Sequence, residues 1–215
     1  LVFADAPIDK FARGQKNAMT EDEKRGALIF FGSGNCVSCH AVSGQSNEMF
    51  SDFRHHVAGI PQIAPSVGNV TFDGPGANED FGLEQVTGDP NDRYAFRTSP
   101  LRNLALQPAF FHNGCFTRLE DAVRYHLNAI GSAPTYNPVV AGVAADLRGP
   151  QGPITPVLAR LDPALATPVT LSTDEFNQLI AFLRTGLLDA KANPHDLRQL
   201  IPARVPGGSP VHVFQ

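Results

Sequence analysis

The residues of this sequence whose types and spacing could most plainly do chemistry are Cys36, Cys39 and His40, in the run Cys36-Val37-Ser38-Cys39-His40. Two thiols three positions apart can add to the two vinyl groups of one haem. A histidine directly after the second thiol then lies beneath the porphyrin, where an imidazole nitrogen can bind iron. A thioredoxin-like use of the same C-x-x-C needs a βαβ context, and none is visible around it. A structural zinc site needs a second ligand pair, and the remaining cysteine, Cys115, has no C-x-x-C or H-x-x-x-H near it. The motif therefore predicts one covalent haem c with His40 as the proximal ligand. It leaves Cys115 as a free, buried thiol. Such attachment needs reduced thiols in an exported chain, so the expected compartment is the periplasm or beyond. The sequence starts at Leu1 rather than Met with no signal peptide in view, and it reads as a processed chain or a fragment.

An iron held by His40 has a second axial position, and its occupant decides the chemistry. Methionine there favours electron transfer at high potential, a second histidine lowers the potential, and an open position admits peroxide or oxygen. Only Met19 and Met49 exist, one before the motif and one shortly after it. Among the histidines, His195 and His212 lie in a Pro-rich tail and read as surface residues, and His55 and His56 are neighbours in a loop, one of them a candidate for a haem propionate, with a solvated loop histidine as the equal alternative. His112 reads as a buried, hydrogen-bonded structural residue. His126 differs. Leu119, Ala122, Val123, Leu127 and Ile130 fall on one helical stripe with His126 at its centre, where two ring nitrogens need partners inside the core. A satisfied core histidine is the plain reading; with a haem in the same chain, iron coordination is favoured. Arg54, Arg97 and Arg102 are candidate propionate partners, with surface ion pairs as the ordinary alternative.

The elements that must position these groups are marked by helix-capping signals. Thr20-Glu21-Asp22-Glu23, Thr117-Arg118-Leu119-Glu120 and Ser172-Thr173-Asp174-Glu175 each fit a capping box. The first opens a helix carrying Ala27, Leu28, Phe30 and Phe31 that stops at Gly32-Ser33-Gly34, directly before the haem motif. The third opens a helix with Phe176, Leu179, Ile180, Phe182 and Leu183 that ends by Gly186. Gly26 permits a close crossing of these two helices, with Phe30 and Phe182 beside it. Residues 41–100 and 131–171 read as long irregular connections, a length expected only where chain wraps something functional. The expected fold is mostly α, a cytochrome c-like haem domain with long irregular loops. Its divisions are an arm over 1–19, the haem domain over 20–188 and an extended Pro-rich tail over 189–215.

The composition agrees. With 215 residues, 42% hydrophobic and 18% charged, one packed domain is expected, and 19 glycines with 18 prolines favour irregular connections. A formal charge of −4 and no basic run give no footprint for nucleic acid. No apolar run approaches the length of a membrane span.

Several stretches resemble the bacterial di-haem cytochrome c peroxidase/MauG family. They are Asp9-Lys10-Phe11 with Gly14, Lys24-Arg25-Gly26 through Phe30-Phe31 to Cys36-x-x-Cys39-His40, and Met49-Phe50-Ser51-Asp52-Phe53-Arg54 followed by His56. The most specific is Phe96-Arg97-Thr98-Ser99-Pro100-Leu101-Arg102-Asn103, continuing through Phe111-His112-Asn113-Gly114 to Thr117, Leu119, Glu120, Ala122 and Val123. The resemblance covers about residues 7 to 188 and corresponds to the second, C-terminal haem domain of that family.

The resemblance implies reduction of hydrogen peroxide, or oxidation of a protein by peroxide-derived iron. Peroxide chemistry would belong to a first haem domain, and the second haem would relay electrons from a small cytochrome or cupredoxin. It places the distal ligand, usually methionine or tyrosine, at His126, a departure that implies a bis-histidine haem of lower potential. It also implies calcium bound partly through backbone carbonyls, here those of Gln107 and Ala109. One C-x-x-C-H is present rather than two, so a second haem domain or chain is an expected partner. No catalytic residue is assigned in this chain. The alternative function is an electron-transfer cytochrome, stand-alone or assembled, without turnover of its own. A weaker alternative has His126 dissociating from the iron to admit peroxide.

Overall fold

The computed structural model describes residues 3–44, 48–65, 72–202 and 204–209. Its helices are α1 (Pro7–Ala12), α2 (Glu21–Phe31), α3 (Glu84–Thr87), α4 (Leu119–Leu127), α5 (Ala129–Ser132), α6 (Ile154–Leu158), α7 (Thr173–Ala181) and α8 (Pro194–Arg198). Two short strands, β1 (His55–His56) and β2 (Phe96–Arg97), pair antiparallel with His55 opposite Arg97 and His56 opposite Phe96.

The crossing of α2 and α7 is the most extensive helix contact. Helix α2 starts at Thr20, whose side chain accepts from the Glu23 amide while Glu23 reaches back to the Thr20 amide. Helix α7 starts in the same way at Ser172 and Glu175, and then widens into a π-helical turn over Phe182–Gly186. At Gly26 the helices touch backbone to backbone. A Cβ there would run into the Gln178 carbonyl and lie 2.7 Å from the Cβ of Phe182. Phe30 and Phe182 pack edge to face beside it with ring centres 5.4 Å apart, both fully buried.

Buried side chains form two cores. One gathers Phe30, Phe50, Leu119, Phe176, Leu179, Phe182 and Leu187 around the α2–α7 crossing. The other gathers Ile60, Ile63, Cys115, Phe116, Ala122, Tyr125 and Val143. Helix α4 serves both, giving Leu119 to the first and Ala122 and Tyr125 to the second, so it stands between them.

Four local expectations are corrected. The Thr117 capping box does not form, because the Thr117 hydroxyl donates to the Ala141 carbonyl at 2.9 Å; α4 begins after Arg118, with no side-chain cap. The apolar stripe of α4 stops at Leu127. Asn128 leaves helical geometry and caps α5 through Gly131, so Ile130 is 43% exposed. The tail is not extended throughout, since α8 and a 3-10 turn over Ala190–Ala192 interrupt it; Pro210 and His212 lie outside the described residues. The segment read as an arm contains α1 and is packed down. Ala6 and Met19 are buried, and Asp9 makes a two-pronged ion pair with Arg102, both bonds 2.8 Å.

Candidate functional site

The C-x-x-C-H segment leaves α2 through Gly32 and Gly34, and Asn35 adopts a left-handed conformation at φ 53°. A 3-10 turn over Cys36–Ser38 follows and places both thiols on one short bend. Both cysteines are half-buried and free of disulfides. Burial pushes the Cys36 thiol up to about 12 and raises that of Cys39 as well, so both stay protonated at neutral pH. Chain from Met49 to Phe53 returns beneath the motif, with the Ser51 amide on the Ala41 carbonyl and the Asp52 amide on the Cys39 carbonyl.

That returning loop orients His40. Its Nδ1 lies 3.0 Å from the Phe50 carbonyl oxygen, which can only accept; Nδ1 therefore carries the proton and Nε2 is left with its lone pair. Phe50 holds its carbonyl there from a left-handed backbone at φ 57°. This is uncommon for an aromatic residue and persists only where surrounding packing enforces it. Its ring, 3% exposed, packs against Phe30.

Helix α4 brings His126 opposite. The two imidazole centres are 6.3 Å apart, with ring planes inclined at 55°. Neither nitrogen of His126 has a hydrogen-bond partner among the described residues. Burial, and then the neighbouring His40, pull its pKa down to about 4, so the ring is neutral. Burial likewise lowers that of His40. Phe111, also left-handed at φ 64°, stacks near His126 with its ring inclined at 23° and centred 6.1 Å away.

A haem fits this arrangement. A metal ion between two imidazoles in line, with metal–nitrogen bonds of about 2.0–2.1 Å, sets the ring centres about 6 Å apart. His126 is a neutral, unpartnered donor at that separation, and His40 has its outer nitrogen fixed and its inner one free. The two thiols follow on the same turn.

The other histidines separate clearly. His56 is neither solvated nor free. Its Nδ1 lies 2.7 Å from Asp162 and its Nε2 2.9 Å from Asp52, so both nitrogens donate and the ring is an imidazolium. Burial opposes the charge, but the hydrogen bonds and charges of Asp162 and Asp52 outweigh it and hold the pKa above the ordinary 6.5. His55 and His195 are exposed. His112 lies face to face on Phe96, with centres 3.4 Å apart, and its Nε2 is 3.7 Å from Asp80. Burial lowers its pKa to about 4.

Arg102 is not available to a propionate. Its two terminal nitrogens are taken by Asp9, and Nε donates to the Glu48 carbonyl. Arg54 and Arg97 are exposed, the latter over the Phe53 ring at 5.5 Å. Cys115 is fully buried, as expected. Gln107 is exposed and Ala109 half-buried, and neither carbonyl accepts a hydrogen bond among the described residues. Nor do those residues contain a group of three or more His, Cys, Asp or Glu placed to hold a metal ion.

Sequence reasoning missed the Phe50 carbonyl, the Phe111 ring and the Asp52–His56–Asp162 clamp. A backbone acceptor has no residue-type signature. Asp162 lies 106 positions from His56, beyond any local pattern.

The helical arrangement is that of MauG-like proteins and di-haem peroxidases. A MauG-like protein associated with microbial copper homeostasis superposes with a TM-score of 0.56 at 24% identity, over 90% of this chain and 55% of that one. The di-haem peroxidase BthA from Burkholderia thailandensis E264 gives 0.57 at 24%, over 87% and 47%. In sequence, the chain is 32% identical to cytochrome-c peroxidase IdrP1 of Pseudomonas sp. (strain SCT) over 150 residues, 61% of this chain and 38% of that protein. It is 32% identical to cytochrome c551 peroxidase of Pseudomonas aeruginosa over 129 residues, 60% and 34% of the two chains. Methylamine utilization protein MauG of Methylorubrum extorquens is 29% identical over 135 residues, 63% and 33%. No family model matches the sequence. Over these stretches the chain is similar to bacterial cytochrome c peroxidases and MauG, and it spans about two fifths or less of the length of these curated relatives.

Proposed function

We propose that this chain is a c-type haem electron-transfer unit of a cytochrome c peroxidase/MauG-like oxidoreductase. One haem c would be held by thioethers from Cys36 and Cys39 and by the imidazoles of His40 and His126. The observation that carries this reading is the neutral, unpartnered His126 ring set 6.3 Å from His40. A haem in this place supplies a reversible one-electron couple. The chain supplies the rest: the Phe50 carbonyl holds the proton on His40 Nδ1, α4 presents His126, and Phe111 stacks near it.

With histidine on both faces, this site has no open position for peroxide, which favours relay over turnover here. Peroxide reduction belongs in this reading to a second haem domain or chain, and electrons come from a small cytochrome or cupredoxin. Residues 20–188 form the haem unit, with 1–19 and 189–215 as flanking segments. The carbonyls of Gln107 and Ala109, which accept no hydrogen bond among the described residues, are the places where this chain would contribute to a calcium ion. Thioether formation implies an exported, periplasmic protein; among the described residues no helix is long and apolar enough to cross a membrane.

The test is the optical and EPR spectrum of the purified protein and of His126→Ala. Six-coordinate low-spin haem that ignores added peroxide, becoming high-spin in the variant, supports the assignment. A variant spectrum identical to the parent's removes His126 as a ligand. Compound formation by the parent would make the site itself peroxidatic.

A further inference from the structure

The Asp52–His56–Asp162 clamp is a charged group set one hydrogen bond from the C-x-x-C-H turn, and electron relay as described gives it no part. Its members come from three places: the loop returning beneath the motif, β1, and the segment after α6. The Asp52 amide donates to the Cys39 carbonyl at 2.8 Å, and the Asp52 carboxylate accepts from the Arg54 amide. His56 fills the space between the two carboxylates, 2.7 Å from Asp162 and 2.9 Å from Asp52. Its side chain is 16% exposed, enough for a proton to exchange with water and little enough to limit screening of its charge.

The returning loop faces His56 with Asp52, and the segment after α6 faces it with Asp162; Phe96, opposite it across the strand pair, carries no charge. Next beyond stand Arg54, whose charge reaches Asp162, and His40. Burial lowers the pKa of His40 and the charge on His56 lowers it further, so the field of that imidazolium reaches the proximal ring. With its proton the clamp carries one net negative charge, and without it two. An electron arriving beside the clamp therefore meets more repulsion when His56 is neutral. The coupling is reciprocal. Whatever factor a proton on His56 adds to the affinity for an electron, the electron adds to the affinity for the proton.

We propose that His56 is a proton-binding site tied to the electron traffic of this haem unit: neutral His56 takes one proton from water as one electron enters from the donor protein, and releases it as the electron leaves. This rests on the haem assignment made for Cys36, Cys39, His40 and His126. Charge and atoms balance, since the electron comes from the small redox protein, the proton comes from solvent, and only the ring N–H bond is made or broken. Burial opposes the charge on His56, but both carboxylates hold its pKa above the ordinary value, so the coupling operates above about pH 6.5. Below that window His56 is charged with or without the electron, and far above it the ring is neutral in both states.

The test is a potentiometric titration of the intact haem-loaded protein from about pH 5 to about pH 10. The expected midpoint potential falls as pH rises through the window, by roughly tenfold in electron affinity, or about 59 mV, in all. Reduction in unbuffered solution should take up about half a proton per electron at the centre of the window. His56→Gln, a neutral side chain that still donates a hydrogen bond, should remove both the fall and the uptake. Asp162→Asn leaves His56 with Asp52 as its one carboxylate and should move the window to lower pH, since one of the two charges that favour the imidazolium is gone. A fall that survives His56→Gln unchanged, an absence of proton uptake, or a window that Asp162→Asn leaves in place would each overturn the proposal. A coloured protein with a potential that ignores pH overturns this proposal alone; a protein with no haem band overturns the haem assignment and the proposal with it.

Discussion

His126 sits in a half-buried place that ordinary side-chain energetics disfavours, since neither of its ring nitrogens has a hydrogen-bond partner among the described residues. An axial bond to iron would satisfy one of them, and the choice of histidine would set the potential. Replacing His126 by Met should therefore raise the midpoint potential, by on the order of 100 mV given the wide range that axial ligands span. Potentiometric titration of the two proteins measures this, and equal potentials would contradict the assignment. His56 makes the second prediction at this scale. Its pKa is raised, so its charged clamp is complete below about 6.5 and is lost as pH rises through the raised value. The pKa values of Asp52 and Asp162 are lowered despite burial by the donors that face them, His56 among them. Their share is present above about 3.8 and is lost as pH falls through the lowered values. The clamp is strongest between these limits. Asp162→Asn should cost about 1–3 kcal/mol near pH 6 and clearly less near pH 9. Denaturant unfolding at both values checks this, and equal costs would show that the His56 charge is not involved.

Among the elements, the crossing of α2 and α7 aims the rest. Glycine at position 26 lets the Gln178 backbone approach the α2 backbone, and any side chain there forces the helices apart. Gly26→Ala should therefore destabilise the fold by about 3 kcal/mol, well beyond the small gain in helix propensity. Thermal or denaturant melts measure it, and a neutral or stabilising effect would mean that the crossing relaxes. This crossing was legible in the sequence because its signals are local. Two capping boxes, a stop at Gly32 and the alternation of Phe and Leu all lie within single helices. The capping box at Thr117 was misread for a non-local reason, since the Thr117 hydroxyl is engaged by Ala141, 24 residues away. The proposed ligands Cys36, Cys39 and His40 stand out in the sequence because haem attachment would need that spacing, and His126 stands out because its place on an apolar stripe is anomalous. The Phe50 carbonyl and the left-handed Phe111 do not, since backbone geometry of this kind is imposed by packing rather than by residue type.

At the scale of the whole molecule, a buried ion pair helps to bind the N-terminal segment to the core around the α2–α7 crossing. Asp9 and Arg102, each with a side chain 7% exposed, bridge α1 to the chain that follows β2, and Arg102 lies over the Phe50 ring. Removing one partner strands the other charge, so Arg102→Leu should cost about 3–5 kcal/mol. The same change should loosen the loop that orients His40. Unfolding free energy measures the first effect, and a loss below about 1 kcal/mol would show that the segment is not integral to the fold. The central claim concerns the whole molecule as well: the chain carries one haem welded to it by two sulfur bonds. Intact mass under denaturing, reducing conditions tests it most directly. The account predicts the polypeptide plus one haem; a mass equal to the bare polypeptide would contradict it.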